Sequence, residues 1–233
     1  MSTKIVARYH ANGIVAQTTP DPYLCPQLMY CPEGTETAIM CPNGKWTAWR
    51  GASSSTDCIT CSRGKWCNFK DMESDSTFIS WFASNGDFTL SDLQDYWTGI
   101  SATVALYYGN CDTGYICLEG ATSNQPNSIA ADSGYPCPIG HYCDAGATIE
   151  TPCSPGTYND QTKQAACFAC PAGKYCPSFG MSVPLDCELG YFCSGSNMYP
   201  EPCPTGTYGT GTGFSASSQC TSCDATYYCD LVG

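Results

Sequence analysis

The chain predicts an elongated rod of small disulfide-rich repeats, built from short β-strands and loops, with an N-terminal β-hairpin and one mixed α/β insertion. Three observations predict it. The 233 residues carry 20 cysteines in a recurring spacing, and 23 glycines and 16 prolines punctuate that spacing. Leu, Ile, Val and Phe together stay below the roughly 20% that a globular interior needs. Crosslinks stand in for the missing oily core, as in small secreted domains.

The cysteines obey C-x5-C-x9-C-x13/16-C-x2-C-x5-C three times, beginning at Cys25, Cys137 and Cys187. Two submotifs generate the pattern. The first, C-x5-C, occurs seven times, with Gly at its third position in Gly64, Gly114, Gly140, Gly173 and Gly190. An aromatic precedes its second cysteine in Tyr30, Trp66, Tyr142, Tyr175, Phe192 and Tyr228. The second is a cysteine followed by a Pro/Gly turn and an aromatic: Cys41 to Trp46, Cys153 to Tyr158 and Cys203 to Tyr208. Pro fixes φ early in a type I or II turn, and Gly relieves strain at its end. In an extended segment residues six apart share a face, so both sulfurs of a C-x5-C are expected to reach one neighbouring strand. Cysteines three apart, such as Cys167 and Cys170, face opposite ways and are expected to enter different disulfides.

This organisation divides the chain into an N-terminal arm (1–24), a first repeat (25–67), a cysteine-free insertion (68–110), a connector (111–136), a second repeat (137–186) and a third (187–233). In the arm, Asn12-Gly13 between β-branched runs is a strong hairpin signal. A hairpin outside the stapled repeats is weak alone and is expected to dock through Ile5, Tyr9 and Ile14. In the insertion, Ser91 caps a predicted short helix over 92–97, and Ile100–Tyr108 reads as a strand. Without staples, its aromatics Phe78, Trp81, Phe82, Tyr96 and Trp97 must cover something, either the repeats or a partner.

Segments such as Cys170-Pro171-Ala172-Gly173-Lys174-Tyr175-Cys176 and Cys153-Ser154-Pro155-Gly156-Thr157-Tyr158, with C-x2-C between them, resemble ephrin-receptor-like cysteine-rich repeats. Those belong to the tumour-necrosis-factor-receptor-like group and occur in arrays on protist and animal surface proteins. The resemblance covers 25–67 and 111–229. It implies a ladder of short strands, with single bridges Cys41–Cys58, Cys153–Cys167 and Cys203–Cys220. It also implies a crossed pair, Cys170–Cys187 with Cys176–Cys193. Locally, Cys111 and Cys117 then match Cys137 and Cys143, which leaves Cys25, Cys31, Cys61, Cys67, Cys223 and Cys229 over. Three readings stay open for the array ends: a slice of a longer array, pairing between subunits, or C-x5-C elements closing on themselves.

The chemistry excludes several functions. A net charge of −12 repels nucleic acid and anionic lipid, and no apolar run of 18 residues offers a membrane span. Zinc fits the C-x2-C pairs poorly, since the chain has only His10 and His141, and His141 takes the place of Lys65 and Lys174 in sister repeats. No βαβ pattern supports thiol redox chemistry. Asp71, Glu73 and Asp75 alternate as calcium ligands do, but without the Gly and terminal Glu of an EF-hand. No nucleophile, base and stabiliser are visible together, so no catalytic residue, cofactor or metal is expected. There is no N-x-S/T sequon, and Ser/Thr-rich loops such as 53–56 leave O-glycosylation open.

Cysteine at this density belongs to an oxidising compartment, extracellular or cell-surface. The start, Met1 to Ile5, has no apolar h-region behind it, so processing from a longer precursor is expected. The function expected first is a structural one: a repeat subunit of a self-assembling surface fibre, appendage or coat, whose partner is itself. Second comes the ectodomain of a receptor or adhesion protein, binding another extracellular protein through 68–110. A matrix attachment module of a secreted enzyme is third.

Overall fold

The computed structural model describes residues 24–25, 28–47, 49–69 and 108–229. Small disulfide-rich β repeats are what it contains. All twenty cysteines are bridged in ten disulfides. The arm residues Ile5, Tyr9 and Ile14 lie outside the described residues, as do Phe78, Trp81, Phe82, Tyr96, Trp97 and the helix predicted over 92–97. Of the strand predicted over 100–108 only Tyr108 is described, where it opens a strand running to Asn110.

One turn builds every unit of the repeat. A leading cysteine is followed by two residues and then a residue with positive φ, which is Gly in Gly44, Gly64, Gly114, Gly140, Gly156, Gly173, Gly190 and Gly206. The next amide closes the turn by donating back three residues, as Lys174 N–H does to the Pro171 carbonyl at 3.0 Å. A positive φ at the third position is the mark of a type II turn, where glycine is unstrained. The turn aims the following two or three residues back against the residues just before the next cysteine. The result, among the described residues, is one small two-stranded hairpin for each leading cysteine except Cys223, here called a rung.

Among the described residues there are nine such two-stranded sheets. Four begin in the first half: Met29–Tyr30 with Ile39–Met40, Lys45–Trp46 with Ile59–Thr60, Lys65–Cys67 with Tyr108–Asn110, and Tyr115–Cys117 with Gly134–Pro136. The other five are His141–Tyr142 with Thr151–Pro152, Thr157–Tyr158 with Phe168–Ala169, Lys174–Tyr175 with Leu185–Asp186, Tyr191–Phe192 with Glu201–Pro202, and Thr207–Tyr208 with Thr221–Ser222. The recurring aromatic sits on the inner strand and faces a cross-strand partner: Trp46 opposite Ile59, Tyr158 opposite Phe168, Tyr175 opposite Leu185.

The turn also decides the disulfides, and it corrects the expected crossed pairing. An extended C-x5-C would hold its cysteines ~20 Å apart. Folded back at its glycine, it brings their Cα atoms to between 5.7 and 6.3 Å, and each ring closes on itself. Cys170 therefore bridges Cys176 and Cys187 bridges Cys193, not one another crosswise. Cys111–Cys117 and Cys137–Cys143 likewise replace the expected match between those two elements. Cys25–Cys31, Cys61–Cys67 and Cys223–Cys229 close within the chain and leave no cysteine for a bridge to a second subunit. The long bridges Cys41–Cys58, Cys153–Cys167 and Cys203–Cys220 are present. Each C-x2-C sends its two cysteines to different disulfides, Cys167 to Cys153 and Cys170 to Cys176 for instance.

Two compact units result: residues 1–111 with 117–135, and residues 112–116 with 136–233. Inside each, backbone hydrogen bonds stitch rung to rung. Between the Cys170 and Cys187 rungs, Cys187 N–H donates to the Gly173 carbonyl (2.9 Å) and Gly173 N–H to the Cys193 carbonyl (2.8 Å). Ser196 N–H donates to the Cys170 carbonyl (2.7 Å), and Cys176 N–H to the Asn197 carbonyl (2.9 Å). The same four-bond set joins the Cys25 rung to the Cys41 rung, Cys61 to Cys111, Cys137 to Cys153, and Cys153 to Cys170. The residue donating to the earlier cysteine carbonyl has positive φ each time: Gly51, Gly120, Lys163, Gly180 and Ser196.

What is buried follows from this scheme. Between 136 and 229 every buried residue is a cysteine or a glycine, apart from Asn159. The first unit adds a modest apolar cluster of Leu28, Met40 and Phe69 around Cys61 and Cys67. There the Phe69 and Tyr108 rings stack with centroids 6.2 Å apart.

Three rungs have no cysteine six residues after the leading one and close through a longer loop instead. Thr47, Asn159 and Gly209 stand at that place. Thr47 and Asn159 are fully buried, 0% exposed, where other rungs bury a sulfur. Asn159 Nδ2 donates to the His141 carbonyl (2.8 Å) and the Ala166 carbonyl (3.2 Å), tying the loop to the rung, while its buried Oδ1 has no partner. The Thr47 hydroxyl finds no such partner. Opposite outcomes are expected on removing the two polar groups. Asn159→Ala costs roughly 1–3 kcal/mol, because it removes the two hydrogen bonds by which a buried amide ties the loop to the rung. Thr47→Val is neutral or stabilising by about 1 kcal/mol, because it deletes an unpaired buried hydroxyl at nearly constant volume. Chemical denaturation of the two variants checks this, and a loss of stability in Thr47→Val would contradict it.

Candidate functional site

The rungs repeat with little variation except in the first unit. There the longest described connection, 118–133, joins the two strands of the Cys111 rung, and Asn68 and Phe69 follow the Cys61 rung. A cleft of about 350 Å³ opens beside them, lined by Asn43, Trp66, Asn68, Thr122, Ser123, Asn124 and Asp132.

Each lining residue is placed by the repeat. Asn43 occupies the second position of the Cys41 turn, where its side chain is exposed. Trp66 fills the aromatic position of the Cys61 rung, 5% exposed, opposite Gly109 and bridged to Ala121. Asn68 follows Cys67 directly. Thr122, Ser123 and Asn124 follow Ala121, whose carbonyl accepts from Cys67 N–H at 2.9 Å.

Asp132 ends the short helix α1 (Ile129–Asp132), which Ser128 caps by accepting from Ala131 N–H at 3.2 Å. The loop is cinched from both sides. Thr122 N–H donates to the Asp132 carbonyl (3.2 Å), and Asp132 Oδ2 accepts from Asn127 N–H (2.9 Å). Ser133 then turns the chain with φ 52. The cleft therefore has a preset wall rather than a set of loose loop side chains.

Elsewhere several ionisable groups have local partners at the surface. Lys174 pairs with Asp186 at 2.6 Å across its hairpin, and Lys65 bonds to Asn110 in the same rung position. His141 occupies the equivalent place and sets its Nδ1 against the Ile139 carbonyl at 3.0 Å. Asp57 Oδ2 accepts from Ser53 N–H (2.7 Å) and Ser54 N–H (3.0 Å), and these backbone donors hold its carboxyl below the usual range. Tyr175 donates to Glu188 at 3.0 Å, which raises the phenol. Among the described residues no three His, Cys, Asp or Glu side chains gather as a metal site would require, and no helix is long and apolar enough to cross a membrane.

Sequence reasoning did not single out the cleft. Its residues are ordinary Asn, Ser and Thr, and only the rung register brings 43, 66, 68 and 122–124 together. The signal available was the length of the two loops flanking Cys111. The interface aromatics expected at 78–97 and in the arm fall outside the described residues. No family model matches the chain. No curated protein matches it significantly either.

Proposed function

We propose that the chain is an extracellular structural protein, a disulfide-stapled repeat subunit that assembles with itself into a surface fibre, appendage or coat, without catalysis. Ten disulfides suit an extracellular or secreted setting, where thiols stay oxidised. The observation that carries the reading is the stitch between rungs. It is made by backbone groups and closed by cystine, so it holds its form whatever the outward side chains are. A repeat of that kind suits load-bearing and spacing, and neighbour-to-neighbour stacking is how solenoid proteins extend. The resemblance of its spacing to ephrin-receptor-like repeats supports the same extracellular, scaffold-like role.

The test is imaging of the native protein by negative stain, purified without reductant. Regular fibres or sheets are the expected result. Monodisperse particles at every concentration would overturn self-assembly and turn attention to a receptor or adhesion ectodomain with 68–110 as its recognition element.

A further inference from the structure

We infer that copies of this chain join head to tail, the Cys25 rung of one copy stacking on the Cys223 turn of another by the backbone stitch that joins rungs within a copy. The inference rests on the self-assembly reading and names the surfaces that assembly uses. Within a copy, a rung turns four groups toward the rung before it. In the Cys187 rung these are Cys187 N–H, the Cys193 carbonyl, Ser196 N–H and the Asn197 carbonyl. Their counterparts in the Cys25 rung are Cys25 N–H, the Cys31 carbonyl, Gly34 N–H and the Thr35 carbonyl. Gly34 already has the positive φ of its place, 78. Among the described residues none of these four groups has a hydrogen-bond partner.

The Cys223 turn presents the other half of the stitch. Thr226 takes the glycine place with φ 84. Cys223 N–H donates to the Gly206 carbonyl at 3.0 Å, and Gly206 N–H donates to the Cys229 carbonyl at 3.1 Å. The Cys223 carbonyl, both backbone groups of Thr226 and the Cys229 N–H meet no further rung among the described residues. Tyr227 and Tyr228 stand where Lys174 and Tyr175 are half-buried, yet they are 76% and 83% exposed. Unpaired backbone along such a segment is a template for another chain. In the stack, Cys25 N–H donates to the Thr226 carbonyl and Thr226 N–H to the Cys31 carbonyl. Gly34 N–H donates to the Cys223 carbonyl, and Cys229 N–H to the Thr35 carbonyl. Every donor finds an acceptor.

A second observation is independent of these hydrogen bonds. The turn glycine of one rung approaches the positive-φ residue that follows the rung two further along. A Cβ added to Gly140, Gly156 or Gly173 would stand 2.2, 2.8 or 2.6 Å from the carbonyl oxygen of Gly180, Ser196 or Gly213 respectively. Gly206 has the same conformation, φ +81, but nothing lies within 4 Å of its added carbon, and the same holds for Gly34. Stacking sets Gly34 of the second copy two turns beyond Gly206, so each fills the space left at the other. Charge favours the contact as well. Residues 25–67 carry four of the nine Lys and Arg, whereas 187–233 carry four Asp and Glu with no Lys or Arg. Because the two surfaces differ, each added copy leaves one of each kind free for the next.

The test compares the full oxidised chain with two variants by sedimentation velocity over a concentration series. Gly206→Ala adds a carbon that meets nothing within its own copy but would strike the Gly34 carbonyl of the next. It is expected to raise the threshold concentration for assembly at least about tenfold. Gly34→Ser carries similar backbone strain, at a place where Ser196 stands in a sister rung, and should leave the threshold near the native value. Hydrogen exchange of the unaltered chain gives a measure that needs no variant. On assembly the amides of Cys25, Gly34, Thr226 and Cys229 should gain protection. Assembly with protection gained elsewhere, such as between the N-terminal arm and a neighbour, would overturn the stacking and leave the self-assembly reading standing. Equal thresholds for Gly206→Ala and Gly34→Ser would do the same. A chain that stays monodisperse at every concentration would overturn that reading and the stacking with it.

Discussion

Full reduction of the ten disulfides is expected to unfold the chain outright, with loss of its amide dispersion and of hydrogen-exchange protection. In the chain-entropy account a ring of sequence separation 6 contributes about 2 kcal/mol, and loops of separation 14 or 17 about 3 kcal/mol. A typical folded domain has only about 5–15 kcal/mol in total. Between 136 and 229 no buried apolar side chain other than cysteine exists to compensate. Retention of a dispersed spectrum after reduction in mild denaturant-free buffer would show that backbone stitching suffices without cystine.

The pairing itself has a separate check. Trypsin cuts after Lys174 and an aspartate-directed protease cuts before Asp186. Under non-reducing conditions the peptide containing Cys170 should stay attached to 175–185, which contains Cys176. Attachment instead to the peptide containing Cys187 would restore the crossed arrangement.

That arrangement was implied by the resemblance to ephrin-receptor-like repeats, and reading C-x5-C as an extended strand gave no reason to doubt it. The presence of a disulfide-rich repeat and its strand-and-loop character were legible in spacing, and the bridges Cys41–Cys58, Cys153–Cys167 and Cys203–Cys220 were implied by the resemblance. What spacing conceals is direction. The two submotifs, one led by Cys41, Cys153 and Cys203 and the other by the C-x5-C cysteines, share Gly at the third position and an aromatic at the fifth. They are one turn. Aligning them would have shown that the chain reverses inside every C-x5-C.

Other features left no legible trace. The residue that donates to the preceding rung's cysteine is Gly at 51, 120 and 180 but Lys163 and Ser196 elsewhere, and its offset from the leading cysteine varies. A backbone contact constrains conformation, not side-chain identity, so composition does not report it. The cleft is hidden for a related reason: its residues are far apart in sequence and become neighbours only when rungs stack. Thr47 and Asn159 are the reverse case. Polar residues at the place of a buried cysteine sulfur would be recognisable once the register is known.

Gly173→Ala is expected to destabilise the second unit by roughly 2–4 kcal/mol, far beyond the usual cost of one methyl group. Two effects combine. The residue has φ +83, where an L side chain costs about 1–2 kcal/mol. Its new Cβ would also stand 2.6 Å from the carbonyl oxygen of Gly213, on a rung two further along. That oxygen cannot retreat freely, because Gly213 N–H is bonded to the Cys187 carbonyl at 2.7 Å and the next carbonyl, of Phe214, accepts from Cys193 N–H at 2.8 Å. Relieving such overlap typically costs a further 1–3 kcal/mol. Gly206→Ala separates the two effects: its φ is +81 at the same turn position, but nothing lies within 4 Å of the added carbon. It should lose only about 1–2 kcal/mol. Paired denaturation curves read the difference directly, and it measures how tightly rungs two apart are packed. Equal losses in both variants would mean that glycine serves the turn alone, and that the close approach between alternate rungs carries no weight in holding the unit together.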